Sequence, residues 1–173
     1  MKSDRVKMLA LSSVMAALTF VMTLISVPLP GGGYANLGDA AVLISGAALG
    51  ALCGGISAGV GAAIADVVLG FPIYAPGTFL IKAMVAMTAA FTVKIAKRAT
   101  GIRKTLITVM MFALGEVIMA VGYFIYEFVI LGYGAGAVSG LIGNIAQGAV
   151  CLILGVFLYA ALGKIKINNK TIV

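Results

Sequence analysis

Five long apolar stretches, 8–27, 37–70, 77–93, 105–131 and 136–163, take up most of this 173-residue chain. About 20 consecutive apolar residues are enough for a helix to cross the hydrocarbon core of a bilayer. Folded as one small globule in water, the same stretches would leave a large apolar surface exposed. The chain is 62% hydrophobic and 10% charged, against about 45–50% and 25% in soluble domains. A soluble single domain, a disordered tail and a secreted disulfide scaffold are all excluded. The expected fold class is an all-α integral membrane protein, with the lipid bilayer as its solvent.

The charges set the topology. Eleven of the twelve cations fall in three places: Lys2, Arg5 and Lys7; Lys94, Lys97, Arg98, Arg103 and Lys104; and Lys164, Lys166 and Lys170. Lysines and arginines that flank membrane spans stay on the cytoplasmic side. The net charge of +7 therefore reads as topology with headgroup contact, and no nucleic-acid partner is expected. An even number of crossings must separate each pair of clusters. Stretch 37–70 is too long for one span, and splitting it near Leu52-Cys53-Gly54-Gly55 restores parity. The sequence thus predicts one compact membrane domain over 1–173, a bundle of six transmembrane helices with both termini cytoplasmic. The spans are 8–27, 37–52, 55–70, 77–93, 105–131 and 136–163, and the outer loops 28–36, 71–76 and 132–136. Stretch 8–27 reads as a retained span, because its apolar run is too long for a signal peptide and no Ala-x-Ala site follows.

The inventory of reactive side chains is short. There is no His, and Cys53 and Cys151 stand alone in Gly/Ala-rich surroundings, which suits small core residues better than a disulfide. No Cys/His metal site and no His-based acid–base or triad chemistry can be assembled. No catalytic residue and no metal ligand are assigned, and the chain is not expected to be an enzyme. The Gly-rich runs lack the Gly-Lys-Ser/Thr ending and the strand pattern of nucleotide loops. They read instead as helix-packing patches, since small residues four apart let helices approach in lipid. Such pairs are Gly46/Gly50, Gly50/Gly54, Gly55/Gly59 and Gly136/Gly140. On the first helix, Ser12/Ala16 and Ser13/Ala17 form a patch able to face another protein.

Ionisable groups inside spans are costly and mark functional sites. Asp39, Asp66, Lys82, Glu116 and Glu127 are the candidates, and all but Glu116 fall in the outer half of the predicted bundle. Glu116, Ala120, Tyr123 and Glu127 repeat at helical spacing and share one face, as do Gly140, Asn144, Gln147 and Cys151. Asn144 and Gln147 lie about 12–17 Å below the outer end, near the depth of Tyr123. With Lys82 able to neutralise an acid, these groups suit a pocket for a flat polar ring, open to the outside. Tyr34, Asn36 and Asp39 belong to a Pro/Gly-rich segment after the first helix that can cover its mouth. Tyr34 fits a pocket residue or an interfacial anchor equally, and Tyr74 fits the anchor better.

Two strings carry a resemblance: Gly33-Tyr34-Ala35-Asn36-Leu37-Gly38-Asp39-Ala40-Ala41, and the run from Ala65-Asp66 through Gly70-Phe71-Pro72 and Pro76-Gly77-Thr78-Phe79 to Lys82. They resemble the substrate-binding S components of energy-coupling factor (ECF) transporters, over almost the whole chain. The resemblance implies a subunit that captures a vitamin or vitamin precursor from outside a prokaryotic plasma membrane. It would deliver this solute by toppling within a complex of a transmembrane coupling protein and two ATPases. No cofactor is implied for this chain, and ATP would be used by the partners. In that family an Ala-x-x-x-Ala patch on helix 1 docks on the coupling protein; here the matching positions are Ser12/Ala16 or Ser13/Ala17. The pocket implied lies between the loop after helix 1 and helices 4–6. Its expected lining is Tyr34, Asn36, Asp39, Lys82, Glu116, Tyr123, Glu127, Asn144 and Gln147. The loop is closest to members assigned to hydroxymethylpyrimidine or pyridoxine, with riboflavin next. The competing reading is a self-contained, proton-coupled secondary transporter using Glu116 or Glu127. A metal-dependent membrane enzyme would need a carboxylate cluster that five scattered acids do not supply.

Overall fold

A computed structural model describes residues 2–29, 33–163, 166–167 and 170–171. Pro30, Gly31 and Gly32 of the expected outer loop, and Lys164 of the C-terminal basic cluster, lie outside the described residues. The elements run α1 (Lys2–Leu24), β1 (Ser26–Pro28), β2 (Tyr34–Asn36), α2 (Gly38–Val68), α3 (Ala75–Ala96), α4 (Gly101–Ile125), a π-helical turn (Tyr126–Ile130), α5 (Gly136–Leu162), and the short strands β3 (Lys166–Ile167) and β4 (Lys170–Thr171). Among the described residues, five helices are long and apolar enough to cross a membrane: α1, α2, α3, α4 with its π turn, and α5. The chain is an all-α, multi-pass membrane protein.

Where the sequence predicts two helices broken near 52–55, the structure has one 31-residue element interrupted at Gly50. Gly50 takes φ 81° and ψ 178°, a conformation that a Cβ would strain. Ser45 Oγ donates to the Gly54 carbonyl at 3.1 Å. Nine residues of continuous helix would hold those residues about 13 Å apart, so the chain reverses at Gly50. Segments 38–49 and 51–68 lie side by side as a helical hairpin.

Small residues set the packing around that hairpin. A Cβ on Gly46 would fall onto the Ala86 carbonyl of α3, and one on Gly54 onto the Ser45 carbonyl. Gly55 and Gly59 face Ala83 and Phe79 of α3, and Gly61 faces Ala16 of α1. The core over these contacts includes Val42, Leu43, Val85, Ala86, Phe112 and Met119. Outward faces remain apolar: Leu9, Val14, Leu52, Ile102, Met110, Ile153 and Phe157 are all more than half exposed. Such exposure is unstable in water and ordinary in lipid.

The turns sort to two ends of the bundle. At one end lie the α1–α2 connection, the α2–α3 turn and the α4–α5 turn. Contacts of Thr23 with Gly38, Tyr34 with Asp66 and Tyr74 with Glu127 gather them together. At the other end lie the Gly50 reversal, the start of α1 with Arg5 and Lys7, and the basic α3–α4 turn. Lys104 Nζ sits 5.3 Å from the Tyr159 ring near the end of α5. The described basic clusters thus all occupy the end opposite the β1–β2 connection. That connection is not an open loop: β1 and β2 pair as an antiparallel hairpin with Val27 opposite Ala35. Both cysteines are free, Cys151 fully buried.

Candidate functional site

At the end away from the basic clusters, the β1–β2 hairpin lies across α3, α4 and α5 and closes a polar pocket. Its walls carry Tyr34, Asn36, Asp66, Tyr74, Thr78, Tyr123, Glu127, Asn144 and Gln147, with Leu29 and Gly33 from the hairpin. The free space is about 20 Å3, room for one water molecule, so the hairpin is seen closed.

Two acid–tyrosine pairs shape the upper wall. Tyr34 Oη donates to Asp66 Oδ1, joining the hairpin to α2. Tyr74 Oη donates to Glu127 Oε1 at 3.2 Å, joining the start of α3 to the π turn. Burial, and then the negative charge of Asp66, push the Tyr34 hydroxyl well above the ordinary phenol range. Burial does the same for Tyr74, helped by its contacts with Tyr133 and Glu127. Both hydroxyls therefore stay protonated and donate at neutral pH. Thr78 Oγ1 and Tyr123 Oη are 2.9 Å apart. The π turn positions Glu127, which projects toward Gly140, where any Cβ would meet its carboxylate. Such turns are frequent at functional sites.

Beneath this wall lies a buried ion pair. Lys82 Nζ is 2.7 Å from Asp39 Oδ1, with the side chains 1% and 0% exposed. Gln147 Nε2 donates to the other oxygen of Asp39. Its Oε1 accepts from the Asn36 amide at 2.7 Å. One chain of contacts thus runs from Lys82 through Asp39 and Gln147 to the hairpin. Lys82 also sits 5.1 Å from the Tyr123 ring centroid.

Of the residues expected from sequence, Tyr34, Asn36, Tyr123, Glu127, Asn144 and Gln147 line this space. Asp39 and Lys82 do not; they form its floor, paired with each other. Glu116 does not either. It opens with Ala120, Asn144 and Gly148 into a separate groove between α4 and α5. Uniform helical spacing puts Glu116 and Glu127 on one face, but 11 residues separate them by about 16 Å along the axis. Tyr74, expected as an interfacial anchor, is 5% exposed and holds Glu127 instead. Asp66, a candidate among the intramembrane ionisable groups but outside the expected lining, and Thr78, which the sequence marks only within the second family-like string, also line the space. On α1, Ser13 and Ala17 are exposed, whereas Ala16 faces Gly61 of α2. Among the described residues no group of His, Cys, Asp or Glu is arranged to hold a metal ion.

Residues 3–164 match the family described as the ECF-type riboflavin transporter, S component. The chain belongs to that family. Among curated relatives, an uncharacterised protein in the gap 3′ region of Pyrococcus woesei is 32% identical over 140 residues. The match spans 80% of this chain and 89% of that one. Membership of the ECF S-component family makes this a substrate-binding subunit of a vitamin transporter.

Proposed function

We propose that this S component captures a water-soluble vitamin or precursor at the outer face of a prokaryotic plasma membrane. It crosses the bilayer six times, counting the two limbs of α2 separately, with both termini in the cytoplasm. The observation that carries this reading is the separation of charge from pocket. The described basic clusters lie at one end of the bundle and the polar pocket at the other, so cytoplasmic cations turn the pocket outward. Binding residues are Tyr34, Asn36, Tyr123, Glu127, Asn144 and Gln147 from the sequence reading, joined by Asp66, Tyr74 and Thr78. Asp39 and Lys82 act as positioning residues beneath them. Hydroxymethylpyrimidine or pyridoxine is the preferred solute, with riboflavin next, on the resemblance of the segment around Tyr34–Ala41 to members assigned to those compounds.

Delivery proceeds by toppling against a transmembrane coupling protein driven by two ATPase subunits. The exposure of Ser13 and Ala17 favours that pair as the docking face, since Ala16 is already engaged with Gly61. Changing Ser13→Trp and Ala17→Trp together is expected to cut energised uptake of labelled pyridoxine or riboflavin by about 30-fold or more, as loss of an interface centre does. Binding of the same compound to the purified double variant should be unchanged. Uptake that survives both changes removes the docking face. Uptake that persists without the ATPases overturns the subunit reading itself.

A further inference from the structure

The charge inside the pocket is uneven. Asp66 and Glu127 are 3% and 4% exposed, and both line the space. Each spends one oxygen on a tyrosine hydroxyl; Glu127 Oε2 has no hydrogen-bond partner among the described residues, and Asp66 Oδ2 has none beyond a looser contact of its carboxyl group with the Thr78 hydroxyl. Buried carboxylate oxygens without partners are costly and call for a donor or a positive charge. Among the described residues no cation lines the space, and Lys82, close beneath it, is held by Asp39 in the floor. Three tyrosines, Tyr34, Tyr74 and Tyr123, present rings around the same volume, and aromatic faces attract cations.

Resting on the reading of a vitamin-capturing subunit but replacing the solutes preferred above, we infer that the captured solute is a cation: a small planar nitrogen heterocycle bearing one positive charge, on the ring or on an attached amine. The charge is received by the Asp66 and Glu127 carboxylates, and the ring lies among Tyr34, Tyr74 and Tyr123. A neutral flavin would offer those carboxylates only uncharged N–H and O–H donors. A phosphate ester would bring negative charge against two acids with no cation to receive it. The pocket thereby separates an amine from its phosphorylated form, a choice suited to uptake of free rather than activated vitamins.

The test is equilibrium binding to the full chain in detergent micelles, using matched probes. Pyridoxamine is compared with pyridoxine and pyridoxamine phosphate, and 4-amino-5-aminomethyl-2-methylpyrimidine with its 5-hydroxymethyl counterpart. Thiamine supplies a fixed ring charge and riboflavin a neutral ring. The cationic member of at least one pair, or thiamine, should bind roughly 10- to 100-fold more tightly than the neutral or phosphorylated probes, the range for a charge-assisted contact. Glu127→Gln and Asp66→Asn should each erase most of that preference while leaving the thermal unfolding midpoint near that of the parent. The inference is overturned if riboflavin, a hydroxymethyl compound or a phosphate ester binds tightest. It is equally overturned if no cationic probe binds, or if the preference survives in both variants. Co-purification with the coupling protein is scored separately. A chain that docks but prefers neutral rings loses only the charge assignment, and one that binds cations but never docks loses only the transporter reading.

Discussion

Replacing Lys82 with Met is expected to destabilise the folded protein by about 3–5 kcal/mol, the cost of stranding a buried charge. Asp39 is fully buried and Lys82 nearly so, with 2.7 Å between Nζ and Oδ1. Removing the ammonium leaves Asp39 with one hydrogen bond, from Gln147, and no opposite charge within reach. Combining Lys82→Met with Asp39→Asn should recover most of the loss, because a neutral amide and a thioether satisfy the site without charge. The measurement is a double-mutant cycle on unfolding of the detergent-solubilised protein. Losses that simply add, with no recovery in the double variant, would show the two residues to be energetically independent. The cycle has a functional counterpart. Asp39 orients Gln147, and Gln147 holds the Asn36 amide of the hairpin. Lys82→Met should therefore also loosen the pocket cover, weakening solute binding although Lys82 touches no solute.

How far this arrangement can be read in the sequence depends on which physical signal each part leaves. Spans are written in hydropathy, and the apolar stretches coincide with α1–α5 to within a few residues. Charge parity required 37–70 to reverse, but hydropathy is uniform across Gly46, Gly50, Gly54 and Gly55, so the turning point was not legible. Only Gly50 among them takes a positive φ; the others serve close helix contacts. The pocket was legible where polar residues repeat at helical spacing, as for Asn144 and Gln147. It was less so where the backbone departs from that spacing. The π turn at Tyr126–Ile130 leaves no mark in a 3.6-residue pattern, which places Glu116 and Glu127 together on one face. A Pro/Gly-rich run equally encodes a loose loop or a tight hairpin, and the pairing of Val27 with Ala35 depends on partners outside the run. Tyr74 illustrates the same limit: an interfacial position suits a lipid anchor, and only the approach of the α4–α5 turn makes it a partner for Glu127.

The tightest geometric constraint lies far from the pocket. Gly46→Ala is expected to cost about 3 kcal/mol, and Gly46→Leu more, since overpacking forces backbone apart. The ideal Cβ of Gly46 would lie 1.9 Å from the carbonyl oxygen of Ala86 and 2.9 Å from its Cα. Backbone cannot step aside as a side-chain tip can, so the inward limb of α2 would have to withdraw from α3 along its length. Lys82 lies one helical turn above Ala86 on α3, and Asp39 two turns above Gly46 on α2. A withdrawal that relieves Gly46 therefore also stretches the ion pair beneath the pocket. Gly50→Ala offers the contrast: nothing lies within 4 Å of its Cβ position, so only backbone strain of about 1–3 kcal/mol is imposed. Unfolding midpoints of the three variants, measured beside solute binding, separate the effects. Gly46→Ala should weaken binding together with stability, whereas Gly50→Ala should lower stability and leave binding intact. Equal binding losses at the two sites would mean that the α2–α3 contact and the pocket floor are not mechanically joined.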